Sequence, residues 1–411
     1  MRSVKPWAWA CAGLAALALP ACGGYKRACA VLPELPAPSS TAAETVEVRF
    51  LGVGGFLIRY TAAGTTDTLL TGPFYSNPTL GEIVSQRVNP DGRLIDALLP
   101  PEADAAGAIF VGHGHYDHLM DVPWVVTHRA KQAVVYGNDA TVTTLDTGSL
   151  PAVSLQPWAN HACDWIGGCP AGHAPWRPFH VQGMRLRVWT ILSEHSAQFD
   201  LPWPVSRFFP DAVHLWRGEP VEPPAHPPER PSDWPEGTTL AYVFDLLKDG
   251  AARDDEWDSD AVAFRIYYQD SAARGPFGVP PALWGGHAAK PVDLALLCVG
   301  GSKQIHGQPG ELLRALAPRW AVGSHWEDFF NPRALQAPRP HDAPREPAYE
   351  TFTRVIRGSD PEKFLAGMKR ALKKDAEYVL ACPDAVTRFV RHAGDTAWRR
   401  AASSETWRRA E

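Results

Sequence analysis

Val111-Gly112-His113-Gly114-His115-Tyr116-Asp117-His118 directly follows an apolar run that begins at Ala108 and is the most informative segment of the chain. Three imidazoles and one carboxylate fall within six positions, although the 411 residues include only 15 histidines. In an extended chain, His113 and His115 project to the same side, so both can reach one metal ion. Asp117 and His118 follow where a helix should begin and can face a second ion. A polar loop that is rich in histidine by chance is the alternative.

Three further potential ligands each follow a predicted strand. His195 comes after the run 186–192, Asp270 ends the run 263–270, and His325 ends the run 320–325. Residues at the carboxyl ends of strands can converge on one edge of a sheet. Taken singly, each has a simpler explanation, since a histidine after a strand is usually a loop residue and an aspartate usually caps a turn or helix. Together with the first segment, they complete two imidazole-rich coordination shells.

The order His-x-His-x-Asp-His, followed by His, Asp and His on later strands, resembles the metallo-β-lactamase superfamily from about Val46 to Phe330. The segment 49–58 resembles the opening hairpin of that fold, and 293–301 resembles the strand before the last ligand strand. The ending His325-Trp326-Glu327-Asp328-Phe329 is similar to the His-Trp-x-x-Phe of one branch. That branch contains L-ascorbate-6-phosphate lactonases and N-acyl-phosphatidylethanolamine-hydrolysing phospholipase D enzymes. The resemblance implies an α/β fold, a four-layer αββα sandwich.

The resemblance also implies two divalent metal ions held by two ligand groups. The first group is His113, His115 and His195; the second is Asp117, His118 and His325; and Asp270 bridges them. Nitrogen and oxygen ligands of this kind suit zinc and also accept manganese or iron. Ions about 3.5–4 Å apart would lower the pKa of a bridging water, and the resulting hydroxide would attack phosphorus or a carbonyl carbon. Asp117 is expected to orient the nucleophile or to accept its proton.

The sequence departs from the family at Gly72, in Leu69-Leu70-Thr71-Gly72-Pro73. The family usually has an aspartate there, which positions the ligand loop without binding metal. Carboxylates in that role commonly change metal affinity by about tenfold to a hundredfold. Gly72 therefore predicts weaker metal retention and a lower rate with an unchanged ligand set.

Five residues are candidates for contact with the substrate: His306, Lys303, Tyr116, Trp203 and Trp326. His306 follows the strand that ends at Val299, on the edge where the ligands collect, and is expected to protonate a leaving group or to hold a phosphate with help from Lys303. A solvated loop histidine is the alternative. Trp203 belongs to a long loop that should lie near the metal ions and either lines a pocket or packs the loop onto the domain. Tyr116 either binds substrate or packs.

The amino terminus resembles that of a bacterial lipoprotein. Arg2 and Lys5 precede a short apolar run, and Leu19-Pro20-Ala21-Cys22 looks like a lipobox. Residues 1–21 are therefore predicted to be a signal peptide, with acylation of Cys22 as a membrane anchor. A secreted protein with a fortuitous cysteine is the alternative. Residues 22–44 are predicted to be a flexible tether, and the location is predicted to be the outer membrane, facing the periplasm.

Residues 45–411 are predicted to form one hydrolase domain with insertions at about 156–180 and 202–237. Cys163 and Cys169 are expected to form a disulfide in the oxidising periplasm, with metal binding as the alternative. Helices are expected near 347–356 and over the basic, amphipathic stretch 384–409. The net charge of −5 disfavours nucleic acid as a partner.

The substrate is expected to be a phosphodiester, possibly resembling a phospholipid, because the branch includes such enzymes and the predicted anchor places the domain at a membrane. Two alternatives stay open. One is a lactonase of the same fold. The other is a non-catalytic, metal-binding protein of the cell envelope, which Gly72 supports but the complete ligand set argues against.

Overall fold

A computed structural model describes the chain in the ranges 42–85, 87–146, 150–155, 178–196, 222–224, 226–251, 258–280, 291–327 and 360–410, with short pieces at 26–29, 35–36, 218, 283–284, 287–288 and 349–352. Two eight-stranded mixed sheets pack face to face, and helices cover their outer faces. This is the four-layer αββα sandwich that the sequence predicted, and the predicted fold class is confirmed. Within the described ranges, no helix is long and apolar enough to cross a membrane.

The strands are β1 Lys26–Cys29, β2 Ala42–Gly52, β3 Gly55–Ala62, β4 Thr65–Thr71, β5 Ala108–Phe110, β6 Val134–Gly137, β7 Ala152–Ser154, β8 Phe179–His180, β9 Leu186–Leu192, β10 Leu240–Leu247, β11 Val262–Gln269, β12 Leu283–Trp284, β13 His287–Ala288, β14 Leu294–Cys298, β15 Trp320–Ser324, β16 Tyr349–Phe352, β17 Glu377–Leu380, β18 Val386–His392, β19 Arg399–Ser403 and β20 Arg408–Arg409. The α-helices are α1 Leu80–Val84, α2 Gly92–Leu98, α3 Tyr116–Leu119, α4 Val122–Trp124, α5 Asp139–Leu145, α6 Gly310–Leu316 and α7 Pro361–Ala371. A π-helical turn spans Val125–Arg129, and 3-10 turns span Pro101–Ala105, Pro231–Asp233 and Ser302–Gln304.

The first sheet has the strand order β19-β18-β2-β3-β4-β5-β6-β7, and the second has β20-β17-β15-β14-β11-β10-β9-β8. In the first sheet, β4 to β7 are parallel neighbours. In the second sheet, β11, β14, β15 and β17 are parallel neighbours, and β9 runs in the same direction because β10 is antiparallel to both β9 and β11. The carboxyl ends of β9, β11 and β15 therefore lie along one edge of the second sheet.

The core between the sheets is apolar and rich in aromatic rings. Phe110 of the first sheet packs against Tyr242 and Phe244 of the second, with ring centroids 5.4 and 4.8 Å apart. Two hydrogen bonds also join the sheets beside the histidine-rich segment: the Tyr242 hydroxyl donates to the carbonyl of Val111 at 2.7 Å, and the Leu240 amide donates to the carbonyl of Gly112 at 2.7 Å. These contacts fix the start of the histidine-rich segment against the second sheet.

The prediction of a helix over 384–409 is wrong, because the stretch forms β18, β19 and β20. β18 pairs antiparallel with β2 on one side and with β19, the edge strand of the first sheet, on the other. Its basic residues face acidic partners on β2: Arg388 donates to Glu47 at 2.7 Å, and Arg391 pairs with Glu44. Phe389 packs on Phe264 and Trp320 in the core. The basic pattern reflects cross-strand ion pairs rather than the surface of a helix.

The predicted helix at 347–356 is also wrong at its centre, where β16 pairs antiparallel with β1. β1 lies within the predicted tether of residues 22–44, so residues 26–29 of that segment are strand.

The predicted signal peptide, Cys22, Cys163, Cys169 and most of the two predicted insertions lie outside the described residues. Cys298 is buried in β14, as expected for a small core residue, and Cys382 is disulfide-bonded.

Candidate metal centre

All seven predicted ligands lie together where the carboxyl ends of strands from the two sheets meet. β5 leads into the histidine-rich segment, while β9, β11 and β15 end just before His195, Asp270 and His325. His115 is extended, with φ −61° and ψ 151°, and α3 begins at the next residue. The change from strand to helix therefore occurs within the segment, as the spacing of its histidines predicted.

The first ligand group, His113, His115 and His195, forms a compact triangle of imidazoles. The ring centroids are 4.8 Å apart for His113 and His115, 4.5 Å for His113 and His195, and 4.7 Å for His115 and His195. One nitrogen from each ring lies within 4.8 Å of the other two, so the group can hold a metal ion. The Nδ1 of His195 lies 2.5 Å from the carbonyl oxygen of Ser196, to which it can donate, and this contact leaves Nε2 as the acceptor.

The second ligand group, Asp117, His118 and His325, is centred on a carboxylate. Oδ2 of Asp117 lies 3.5 Å from Nε2 of His118 and 3.5 Å from Nε2 of His325. His113 is also close to this group, because its ligand atom lies within 4.8 Å of those of Asp117 and His118. His113 thus stands between the two groups, although the sequence assigned it to the first alone.

Asp270 lies between the two groups, as expected for a bridging carboxylate. Its Oδ1 is 3.2 Å from Nδ1 of His113, and its Oδ2 is 3.5 Å from Nδ1 of His118. Oδ2 also accepts the amide hydrogen of Gly112 at 3.0 Å. A Cβ atom at Gly112 would lie 2.2 Å from Oδ1 of Asp270, so only glycine allows the backbone to approach this carboxylate.

Burial and neighbouring charges shift the pKa values of four of the seven residues toward the protonation states needed for metal binding. Burial lowers the pKa of His113 to about 4 and of His118 to about 3, and it holds the pKa of His195 well below its usual value. Burial alone would raise the pKa of Asp117, but the neighbouring His118 and His325 outweigh it and keep that pKa well below its usual range. Neutral imidazoles and an ionised carboxylate are the forms that bind metal ions.

Two further pKa shifts arise from the same arrangement. Burial works against the charged form of His325, but its hydrogen bond with Asp117 outweighs this effect and raises the pKa of His325. Burial raises the pKa of Asp270.

The donor atoms are better suited to binding metal ions than to a network of hydrogen bonds among themselves. Nε2 of His113 is buried and has no hydrogen-bond partner among the described residues, although its Nδ1 faces Asp270. A buried polar atom without a partner is costly unless another ligand satisfies it. Imidazole nitrogens and carboxylate oxygens suit zinc, manganese or iron. The residues present therefore fit a metal centre.

Gly72, where the family has an aspartate, cannot hold any side chain in this chain. A Cβ atom there would lie 2.3 Å from the carbonyl oxygen of His118. Asp121, which the sequence reasoning did not identify, is fully buried and anchors the segment that follows Gly72. Its Oδ2 accepts the amides of Tyr75 and Ser76 at 2.6 and 2.9 Å. Asp121, between α3 and α4, thus supplies a carboxylate that ties the segment after the candidate ligands to the loop that follows Gly72. Weaker metal retention stays a prediction.

The predicted substrate residues have different environments. Trp326 is 1% exposed, and its indole donates to the carbonyl of Ala381 at 2.8 Å, so it packs in the core and is not placed to contact a substrate. Tyr116 is buried against Phe74, with ring centroids 6.2 Å apart. Lys303 and His306 are exposed on the loop after β14. Trp203 lies outside the described residues.

The described end of the predicted insertion at 202–237 lies against the histidine-rich segment, as expected. The Gly114 amide donates to the carbonyl of Glu236 at 2.9 Å. A Cβ atom at Gly114 would lie 2.2 Å from the carbonyl oxygen of Pro235. Asn138, at the start of α5, donates to the carbonyls of Glu236 and Thr238 at 3.0 and 2.8 Å. The insertion is therefore fixed to the ligand loop at this end.

No family model and no curated protein matches the chain. Solved structures with some similarity include CmlA, a diiron β-hydroxylase from Streptomyces venezuelae, which is 11% identical with a TM-score of 0.39; the match covers 89% of this chain and 55% of the hydroxylase. A metallo-β-lactamase of Cronobacter sakazakii is 12% identical with a TM-score of 0.26, covering 60% of this chain and 73% of that one. Unliganded yeast PDE1 is 9% identical with a TM-score of 0.33, covering 84% and 98%. At these values, the likenesses support no inference about activity.

Proposed function

We propose that this protein is a metal-dependent hydrolase that acts on a phosphodiester. The observation that carries the proposal is the convergence at one site of seven buried or nearly buried residues with nitrogen or oxygen donors, from both sheets, Asp270 among them. Asp270 contacts His113 and His118, so the two ligand groups share one carboxylate. Such a pair of adjacent groups suits two ions, with His113, His115 and His195 holding one and Asp117, His118 and His325 the other.

When bound, two divalent ions supply Lewis-acid activation of the substrate and lower the pKa of a water molecule toward neutrality. The side chains supply the rest. Asp117 is the more exposed of the two carboxylates of the site, at 9%, and is our proposal for the group that orients the nucleophile or accepts its proton. The remaining six side chains would hold the ions in a fixed geometry. Hydrogen bonds such as that between His195 and the carbonyl of Ser196 fix the orientation of the rings.

Exposed cations beside the site favour an anionic substrate over a neutral lactone. Arg274, four residues after Asp270, pairs with Glu194 at 3.2 Å, and Glu194 immediately precedes His195. The loop that carries Lys303 and His306 is joined to this region, since Gln308 donates to the carbonyl of Ala273. A phosphodiester carries the negative charge that Arg274 and Lys303 would attract. His306 remains our proposal for the group that protonates the leaving group.

The test combines metal analysis with a substrate panel. Purified protein should retain close to two divalent ions per chain and should hydrolyse bis(p-nitrophenyl) phosphate faster than a simple lactone, with loss of activity after chelation and recovery after zinc, manganese or iron is restored. Phospholipid vesicles form a third arm, which separates lipid-like from soluble phosphodiesters. Hydrolysis of the lactone alone would favour the lactonase alternative. Metal-loaded protein that turns over no ester would favour a non-catalytic metal-binding protein.

Substitution of Arg274 tests the preference for an anionic substrate. We expect Arg274→Gln to raise the KM for bis(p-nitrophenyl) phosphate about three- to tenfold, because an exposed ion pair contributes about 1 kcal/mol. The kcat should change little, since Arg274 is not one of the seven proposed metal ligands. The KM for a neutral ester should not change.

Arg399→Gln is the matched control for this substitution. Arg399 is 68% exposed and pairs with Asp395, as Arg274 is 67% exposed and pairs with Glu194, but Arg399 lies on β19 at the far edge of the first sheet. Equal KM changes in the two variants, or an equal change for neutral and anionic esters, would count against a role for Arg274 in substrate selection.

The proposed location is the outer membrane, with Cys22 lipidated and the domain facing the periplasm. We expect Cys22→Ser to move the protein from the membrane fraction to the soluble fraction of cells, because the acyl chains provide the only proposed anchor. Fractionation followed by immunoblotting measures this. Membrane association that persists in the variant would refute lipidation at Cys22.

A further inference from the structure

Glu327 is a buried carboxylate that contacts two distant parts of the ligand environment. It is 6% exposed and lies two residues after the ligand His325. Its Oε2 accepts the amide hydrogen of Trp326 at 2.9 Å, and its Oε1 accepts the amide hydrogen of Val53, 274 positions away in the sequence. One side chain thus joins the backbone after His325 to the turn between β2 and β3.

That turn, residues 52–55, forms a wall behind two other ligands. A Cβ atom on Gly54 would lie 2.8 Å from Nδ1 of His118 and 3.0 Å from Cβ of Asp270, so the turn backbone touches both side chains. The carbonyl of Gly54 accepts hydrogen bonds from the hydroxyls of Thr71 and Tyr268 at 2.7 and 2.8 Å. Thr71 and Tyr268 therefore hold the turn against the two sheets through the carbonyl of Gly54. The amide of Val53, in the same turn, donates to Glu327.

The backbone at His325 needs such support. Its φ is +55°, in the left-handed region that a non-glycine residue adopts only at a cost of about 1–2 kcal/mol. The following residue, Trp326, is held at two points, by its amide hydrogen bond to Glu327 and by its indole hydrogen bond to Ala381. These bonds hold the turn that aims the His325 ring at Asp117.

We propose that Glu327 is a positioning residue for the second ligand group. Its carboxylate locks the strained turn at His325 to the wall behind His118 and Asp270, and so fixes the three side chains relative to one another. This inference rests on the proposed metal-dependent function. The chemistry requires a carboxylate, because two amide donors face two oxygen atoms. A glutamine has one acceptor oxygen and would turn its own NH₂ group toward the other amide.

The experiment is a zinc titration of metal-free protein in competition with a chromophoric chelator, which gives a separate Kd for each ion. We expect Glu327→Gln to raise the Kd of one ion about tenfold to a hundredfold while the Kd of the other stays within about threefold, by analogy with other groups that orient metal ligands. Replacement of zinc by cobalt should give a visible spectrum that is altered for only one of the two ions. In hydrolysis, kcat should fall more than KM rises.

The matched control is Glu377→Gln. Glu377 accepts hydrogen bonds from the indole of Trp320 and from Arg400, and Trp320 begins β15, the strand whose other end leads to His325. This variant loses a carboxylate on β17 that contacts the opposite end of β15. It should lower the thermal midpoint of the metal-free protein and leave both zinc affinities unchanged. A merely structural role for Glu327 would make the two variants behave alike.

The outcomes separate this inference from the proposed function. Wild-type protein that binds no zinc would refute the proposed function itself. Wild-type protein that binds two ions, together with Glu327→Gln protein that binds both with unchanged affinity, would overturn only the role of Glu327. If Glu327→Gln does not fold, Glu327→Asp, which keeps both oxygens on a shorter side chain, is titrated in its place. An unchanged affinity for both ions in that variant would equally overturn the role.

Discussion

Asp270→Ala is expected to reduce retained metal from close to two ions per chain to less than one and to lower the hydrolysis rate about a thousandfold or more, since loss of metal activation removes several kcal/mol of transition-state stabilisation. Asp270 contacts His113 at 3.2 Å and His118 at 3.5 Å and accepts the amide of Gly112 at 3.0 Å. Its removal therefore disturbs both ligand groups at once. Elemental analysis after dialysis, together with steady-state rates on bis(p-nitrophenyl) phosphate, measures both effects.

Two histidine variants calibrate this result. His115→Ala removes a member of the first group only, so it should lose mainly one ion. His128→Ala removes an exposed imidazole that stacks on Trp124, with ring centroids 3.9 Å apart, and should keep both ions and the full rate. If Asp270→Ala protein retained two ions and the wild-type rate, the bridging role would be wrong. If His128→Ala lost metal as well, general destabilisation would explain all three variants.

The convergence of the seven candidate ligands could be predicted from the sequence because each is marked by a local pattern. His113 and His115 alternate at the end of a strand, and His195, Asp270 and His325 each follow an apolar run. Glu327 and Asp121 carry no such mark, because their partners are the backbone amides of residues 274 and 46 positions away. The need for glycine at position 72 could not be predicted either, because it arises from the carbonyl of His118, which lies against the Gly72 backbone. Long-range packing, rather than spacing, selects these residues.

The fold was predictable where hydrophobic periodicity and chain order agree, as in β2 to β5 and in the strands that carry ligands. It was not predictable in β18 and β19. There, Arg388 and Arg391 stand three residues apart with Phe389 and Val390 between them, a spacing that also fits an amphipathic helix. The deciding acidic partners on β2 lie more than 340 positions away. Trp326 illustrates the opposite error. It was a candidate for contact with the substrate, but a residue shortly after a strand end can equally point back into the core, as Trp326 does.

A buried charge cluster on the second sheet gives the second large prediction. Asp245 of β10 lies directly opposite Arg187 of β9 and Arg265 of β11. Its carboxylate accepts from Arg187 at 2.9 Å, from Arg265 at 2.6 Å and from the indole of Trp189 at 2.9 Å. Asp245 is 0% exposed, and both arginines are 1% exposed. The cluster thus holds two buried cations around one buried anion.

We expect Asp245→Ala to lower the free energy of unfolding by about 3–5 kcal/mol, because it leaves two buried guanidinium groups without their shared partner. Burial alone would raise the pKa of Asp245, but the two arginines outweigh it and lower that pKa below its ordinary value of 3.8. Since the folded pKa is the lower one, this stabilisation is complete at neutral pH and is lost only as the pH falls below that value. Urea unfolding at pH 7 measures the change.

The triple variant Arg187→Met, Asp245→Leu, Arg265→Met tests whether the three charges stabilise the fold more than apolar side chains would, or only compensate one another's burial. Replacing all three charges by apolar groups of similar volume removes the desolvation cost along with the attraction, so the triple variant should be far more stable than Asp245→Ala and close to the wild type. Asp395→Ala, which breaks the exposed pair with Arg399, should change stability by no more than about 0.5 kcal/mol.

A triple variant as unstable as Asp245→Ala would mean that the three charges stabilise the sheet beyond satisfying one another. An Asp245→Ala protein as stable as the wild type would mean that the arginines find other acceptors, such as the carbonyl of Asp258 that Arg187 already contacts at 3.1 Å.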